Sequence, residues 1–247
     1  MKIKSNISKK RVNMQIELRE RPKKGAIIIE GFPGFGLVST IATEYLIDHL
    51  NARLIGKFSS EKIPAMIAIH KGQVVEPLGI FYDERNNIVI VRAIANVNGL
   101  EWEITENLTK FAEEIKAKEL ISIEGISSDG KPPEPEAFFY TRDTERKKRF
   151  NDLKMREIDE GIIVGVTASL MTKLPETTFL FTEATSELPD SRAAAKIIEV
   201  LDEYLKLKVD YKPLVKKAED FELKIKEILT KVKDIGSQKE KKESYFG

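Results

Sequence analysis

Between residues 25 and 50 a short β-branched run passes through a glycine-rich turn straight into a helical pattern, and few folds accommodate that succession. Ala26 to Ile29, bounded by Gly25 and Gly31, has the pattern of a strand buried on both faces in a parallel sheet. Gly31-Phe32-Pro33-Gly34-Phe35-Gly36 follows as the turn. Leu37, Ile41, Tyr45 and Leu46 then recur at helical spacing, Ala42 and Leu50 extend that face, and Asn51 supplies a stop. Strand, loop and helix in this order open an α/β architecture.

The remaining periodicity agrees. Met14 to Leu18 alternates like an edge strand. Leu54 to Phe58, Ala65 to His70, Leu78 to Tyr82 and Ile88 to Ile94 read as strands, and Asp83 to Asn87 is a loop of hairpin length, so this stretch is antiparallel or mixed sheet. Ile104, Leu108, Phe111, Ala112 and Ile115 make one helical face, and Leu120 to Ile123 returns as a buried strand, which closes a strand-helix-strand unit. Ser127 to Glu136, rich in Gly and Pro, predicts a functional or hinge loop. Phe138 to Thr141 and Gly161 to Thr167 are expected strands around a charged insert, Thr178 to Thr182 is another, and Ser191 is expected to cap a helix running to about Leu207. The expected fold is α/β, with a mixed, largely parallel sheet flanked by helices.

Leu214, Ala218, Phe221, Ile225, Ile228, Val232 and Ile235 alternate spacings of four and three, a heptad seam too short to stand alone. The chain therefore divides into a basic segment over 1–24, an α/β body over 25–210, a heptad-patterned helix over 211–236 and a solvated tail over 237–247. A length of 247 residues suits one such body with an appendage.

Composition removes several function classes. There is no cysteine and there are two histidines, His49 and His70, so disulfides, thiolate sites and the usual zinc or triad arrangements are poor expectations. No metal or cofactor is expected. The net charge of +1 gives no whole-molecule reason for a nucleic-acid partner. Its distribution is uneven: residues 1–24 hold nine basic and two acidic groups and residues 206–247 hold twelve and eight, which leaves the body about ten units acidic. Apolar runs fall short of the roughly 18–20 residues that a membrane helix needs, and no apolar stretch follows the basic start, so a cytoplasmic protein without a membrane partner is expected.

Four features bear on function. The Gly31–Gly36 loop stands where a phosphate loop would, but its glycines fall at first, fourth and sixth positions and no Gly-Lys-Ser/Thr follows, which favours a rigid structural or subunit-facing turn. Glu30, Glu124 and Glu183 stand near strand ends, where a carboxylate pair could do acid/base work, although no nucleophile or imidazole accompanies them. Arg146-Lys147-Lys148-Arg149, interleaved with acids, reads as a solvated helix face, and Trp102 as a helix-start packing residue. Last, Tyr245-Phe246-Gly247 ends a charged, apolar-poor tail; two aromatic side chains there look like a tethered ligand whose terminal carboxylate pairs with a lysine or backbone donors of a partner.

Glu30 to Val38, Ser60-Glu61-Lys62-Ile63-Pro64-Ala65, Ile123-Glu124-Gly125-Ile126, and Gly161 to Val166 with Ala168-Ser169-Leu170 together resemble the PAC2 (proteasome assembly chaperone 2) family, especially its archaeal PbaA/PbaB-like members. The resemblance implies a nucleoside-phosphorylase-like α/β fold, a homo-oligomer and a non-enzymatic, ATP-independent chaperone or activator engaging the proteasome. The chain end is similar to the hydrophobic-tyrosine-any-residue tail that docks on the 20S α-ring, with Tyr245 in the hydrophobic place, Phe246 penultimate without the phenol hydroxyl, and Gly247 carrying the carboxylate. Those three residues are the expected proteasome-binding site. An enzyme of phosphorylase or ligase type using the Gly31–Gly36 loop is the alternative.

Overall fold

The computed structural model describes residues 14–70, 72–127, 134–184 and 189–216, with residues 220 and 227. In chain order the elements are β1 (Gln15–Leu18), β2 (Ile27–Gly31), α1 (Val38–Leu50), β3 (Arg53–Ser59), β4 (Ala68–His70), β5 (Gln73–Val75), β6 (Leu78–Asp83), β7 (Ile88–Ala93), α2 (Glu101–Glu114), β8 (Glu119–Ser127), β9 (Ala137–Tyr140), α3 (Thr144–Asp152), β10 (Arg156–Glu157), α4 (Gly165–Lys173), β11 (Thr178–Ala184), α5 (Ser191–Leu205) and α6 (Lys212–Lys216). Nine strands form one mixed sheet in the order β1-β3-β6-β7-β2-β8-β11-β9-β10, while β4 and β5 make a separate hairpin. The central strands β7, β2, β8 and β11 run parallel. β1, β3 and β6 extend the sheet antiparallel on one side. The α/β expectation is met, with parallel pairing concentrated at the centre.

The alternation of side chains along each central strand feeds two cores. Ile29, Ile121, Ile123 and Leu180 pack on one face under α1, α3 and α5. Ile28, Val91, Leu120 and Phe181 pack on the other under α2 and α4. Phe150 of α3 is fully buried, its ring 4.9 Å from Phe139 and 4.3 Å from Tyr204 between centroids. The helix α1 ends as expected, with Asn51 in the left-handed region at φ 52°.

Several local expectations are corrected. Gly161 to Thr167 is not a strand: residues 161–164 are irregular and α4 begins at Gly165. β-branched residues around glycine satisfy strand periodicity, yet Ile162 is 93% and Val164 70% exposed, so no sheet neighbour holds them. Trp102 is 54% exposed, because the inward face of α2 is built by Ile104, Leu108 and Phe111. Arg146 to Arg149 is only partly a solvated face: the Arg146 guanidinium donates to the Lys118 carbonyl at 3.0 Å, and Arg149 lies 3.9 Å over the Tyr204 ring. The cap of α5 is Asp190 rather than Ser191, its carboxylate accepting from the Ala193 amide at 3.0 Å. Asp190→Ala is expected to cost about 1 kcal/mol, read as a lower urea midpoint at unchanged m-value. In the heptad seam Leu214 is buried against the body; its other members lie outside the described residues.

Candidate functional site at the carboxyl ends of the parallel strands

The order of strand connection reverses around β2. From β2 the chain passes through α1 on one face of the sheet and eventually reaches β7; from β7 it crosses through α2 on the other face to β8, on the far side of β2. Helices thus leave on opposite faces, and a crevice opens beyond the strand ends. A cleft of about 440 Å³ lies there. Its walls come from the loop after β2 (Phe32 to Phe35), the start of α2 (Val97, Asn98, Glu101), the end of β8 (Glu124 to Ser127) and residues 162–166 at the start of α4.

Glu124 supplies the polar floor. Its Oε2 accepts from the Thr167 hydroxyl at 3.0 Å, and the Gly125 and Phe35 amides also donate to the carboxyl. The Ser122 hydroxyl donates to Thr167 Oγ1 at 3.2 Å. Ser122 and Glu124 stand two apart on β8 and so share a sheet face. Behind them is Glu30 of β2, wholly buried, with Ser122 opposite it in register. Neither Glu30 carboxyl oxygen has a hydrogen bond of good geometry. Burial pushes its pKa up to about 8; Ser122 offsets part of this and the nearby Glu124 adds to it. Burial also raises Glu124, to about 7, against the opposing pull of Thr167 and the two amides. Near neutral pH the pair therefore holds a proton on Glu30, while Glu124 is poised to exchange one.

The glycine-rich loop wraps this carboxyl. A Cβ at Gly34 would collide with the Glu124 carboxyl, and one at Gly125 with the main-chain oxygen of Phe35, so loop and strand can interlock only as glycines. The Phe35 amide, which in a phosphate loop would face an external anion, is given to Glu124. The loop's amide is thus turned inward onto a carboxyl of the chain itself, in keeping with the structural turn that its glycine spacing and missing lysine favour. The Ser39 hydroxyl also donates to the Phe32 carbonyl and ties the turn to α1.

Of the strand-end acids, Glu30 and Glu124 come together, whereas Glu183 on β11 lies outside the cleft lining. His49, exposed in the last turn of α1, stacks on Tyr45 with centroids 6.1 Å apart and takes no part in the site. Among the described residues no group of His, Asp and Glu is arranged to hold a metal, and no helix is long and apolar enough to cross a membrane. Tyr245, Phe246 and Gly247 lie outside the described residues. Sequence reasoning missed Ser122, Thr167 and Glu101. Two-residue spacing from Glu124 would have found Ser122; nothing local marks the others.

A family model described as the PAC2 family matches residues 28–229. The uncharacterised protein MJ0106 of Methanocaldococcus jannaschii is 31% identical over 212 residues, spanning 82% of this chain and 84% of its own. Among solved structures, Pyrococcus furiosus PbaA, described as an archaeal homologue of proteasome-assembly chaperone, superposes with a TM-score of 0.79 at 29% identity, covering 89% of this chain and 98% of PbaA. Pyrococcus furiosus PbaB, described as an archaeal proteasome activator, shares the fold at a TM-score of 0.70 and 23% identity, covering 90% of this chain and 99% of PbaB.

Proposed function

The chain belongs to the PAC2 family, and on that premise we propose that it is a non-enzymatic, ATP-independent partner of the 20S proteasome, acting in its assembly or activation. The observation that carries this reading is the likeness to PbaA over nearly the whole of both chains. The α/β body provides the platform, several copies associate, and each C-terminal tail docks on the α-ring through Tyr245 and Phe246, with the Gly247 carboxylate paired to a lysine or backbone donors. Few residues are buried per tail, so one tail binds weakly and an oligomer gains by presenting several at once.

The site geometry argues against the alternative of a phosphorylase or ligase. Its central step needs the glycine loop to receive a phosphate, and Glu124 both occupies the Phe35 amide and would repel one.

Recovery of 20S particles on the immobilised full chain, compared with a chain ending at Ser244, tests the docking mechanism. Loss of recovery on truncation is expected; equal recovery sinks the tail mechanism, and no recovery by either chain sinks the proteasome partnership.

A further inference from the structure

Elsewhere among the described residues, Glu119, Glu44 and Glu76 are met by partners. Glu119 accepts from Thr178 and Tyr204, with Arg146 at 3.5 Å. Glu44 pairs with Arg92, and Glu76 stands 3.9 Å from both Arg19 and Lys57. The cleft has hydrogen-bond donors for Glu124 but no basic partner. Glu124 and Glu101 line it, no lysine or arginine does, and Glu30 stands behind with neither oxygen in a hydrogen bond of good geometry.

The remaining wall is apolar. Phe32, Phe35, Val97 and Ile163 line it, and Ile162 and Val164 project beside them, far more exposed than side chains of that size ordinarily are. A ligand that satisfies both walls carries a positive head on an apolar body. A bare metal ion does not, because only two carboxylates line the cleft among apolar groups, not grouped to hold a metal, and hard cations take six or more oxygens.

We propose that this cleft binds a small organic cation, a primary amine on an aliphatic or aromatic body, with the ammonium on Glu124 and the body against Ile162 to Val164. The cleft volume of about 440 Å³ is in the range of small-molecule sites. The ammonium donates charge-assisted hydrogen bonds to the carboxylate in a setting that water screens poorly. Proton and amine compete for Glu124. Glu124 is met by the Thr167 hydroxyl from α4 and the Gly125 and Phe35 amides, with Glu30 of β2 behind it; Glu101 of α2 lines the same cleft, and no lysine or arginine does. The site is independent of tail docking and survives its failure.

The test is a titration of the full chain with phenethylamine, 2-phenylethanol and 3-phenylpropionate, followed by calorimetry and by the methyl resonances of Ile162 and Ile163. Saturable amine binding at about pH 8 is expected, weaker by about tenfold for the alcohol, absent for the carboxylate, and declining toward pH 5.5 as Glu124 takes up its proton. Glu124→Gln is expected to lower amine affinity by about tenfold. Ile162→Ser, at an exposed position that leaves the fold intact, is expected to lower it about threefold. The proposal is overturned by alcohol binding as tight as amine binding, by no shift at the two isoleucine methyls, or by amine affinity unchanged in Glu124→Gln. If that variant does not fold, the amine–alcohol comparison on the natural chain and the Ile162→Ser titration decide.

Discussion

Between about pH 5 and pH 8 the protein is expected to lose on the order of 4 kcal/mol of unfolding free energy through Glu30 alone. The folded state raises this carboxyl from 4.5 to about 8 because burial outweighs the help from the Ser122 hydroxyl, so folding takes up a proton that the unfolded chain has already released. The contribution is complete below the unfolded pKa, declines as pH rises toward the folded value, and is level beyond it. Each unit of difference is worth about 1.4 kcal/mol. Glu124, raised to about 7, adds a smaller loss of the same sign. Against a typical total of about 5–15 kcal/mol the effect is large. Glu30→Gln places a neutral isostere at the position, and its advantage over the natural chain is expected to widen steadily with pH. Urea unfolding at three pH values checks this; parallel profiles for the two chains would show that Glu30 ionises as easily folded as unfolded.

Arg92→Ala is expected to cost about 3–5 kcal/mol. Arg92 of β7 is 3% exposed, pairs with Glu44 of α1 and lies 4.9 Å over the Phe81 ring, while its Nε has no partner. Truncation leaves Glu44 half-buried without its counter-charge and opens a void against α1. The double replacement Arg92→Met with Glu44→Leu removes both charges and refills the space, so it is expected to recover most of the loss. For a chain of this size the single change lowers Tm by roughly 10 °C. Scanning calorimetry of the three proteins reads both effects, and a single change costing under about 1 kcal/mol would mean that Arg92 and Glu44 are effectively solvated.

The parts of the fold legible in sequence are those whose evidence is local. The run through β2, loop and α1 can be read from residues 25–51 because each boundary is marked by a glycine or an asparagine, and the β6–β7 hairpin is framed by polar Asp83 to Asn87. Residues 161–167 defeat the same method, because β-branched residues beside glycine look alike whether a sheet covers them or solvent does. Glu30 and Glu124 are visible as strand-end acids. Their proximity, and the placing of Ser122 opposite Glu30, depend on β8 lying beside β2, which no pattern within either strand encodes. Thr167 enters the site only because α4 begins where a strand was expected.

The two margins of the nine-stranded sheet bear on how copies of this chain can meet. Among the described residues, one margin is the four-residue β1, with Gln15 and Glu17 turned to solvent, and the other is β10, two residues long. A strand from a neighbour finds few free main-chain groups at either margin and a charge at the longer one, so the sheet resists growth by strand addition. The association of copies proposed above would then proceed through side-chain surfaces. Such contacts are set by shape and charge rather than by a repeating backbone ladder, which favours closed assemblies over fibrous ones.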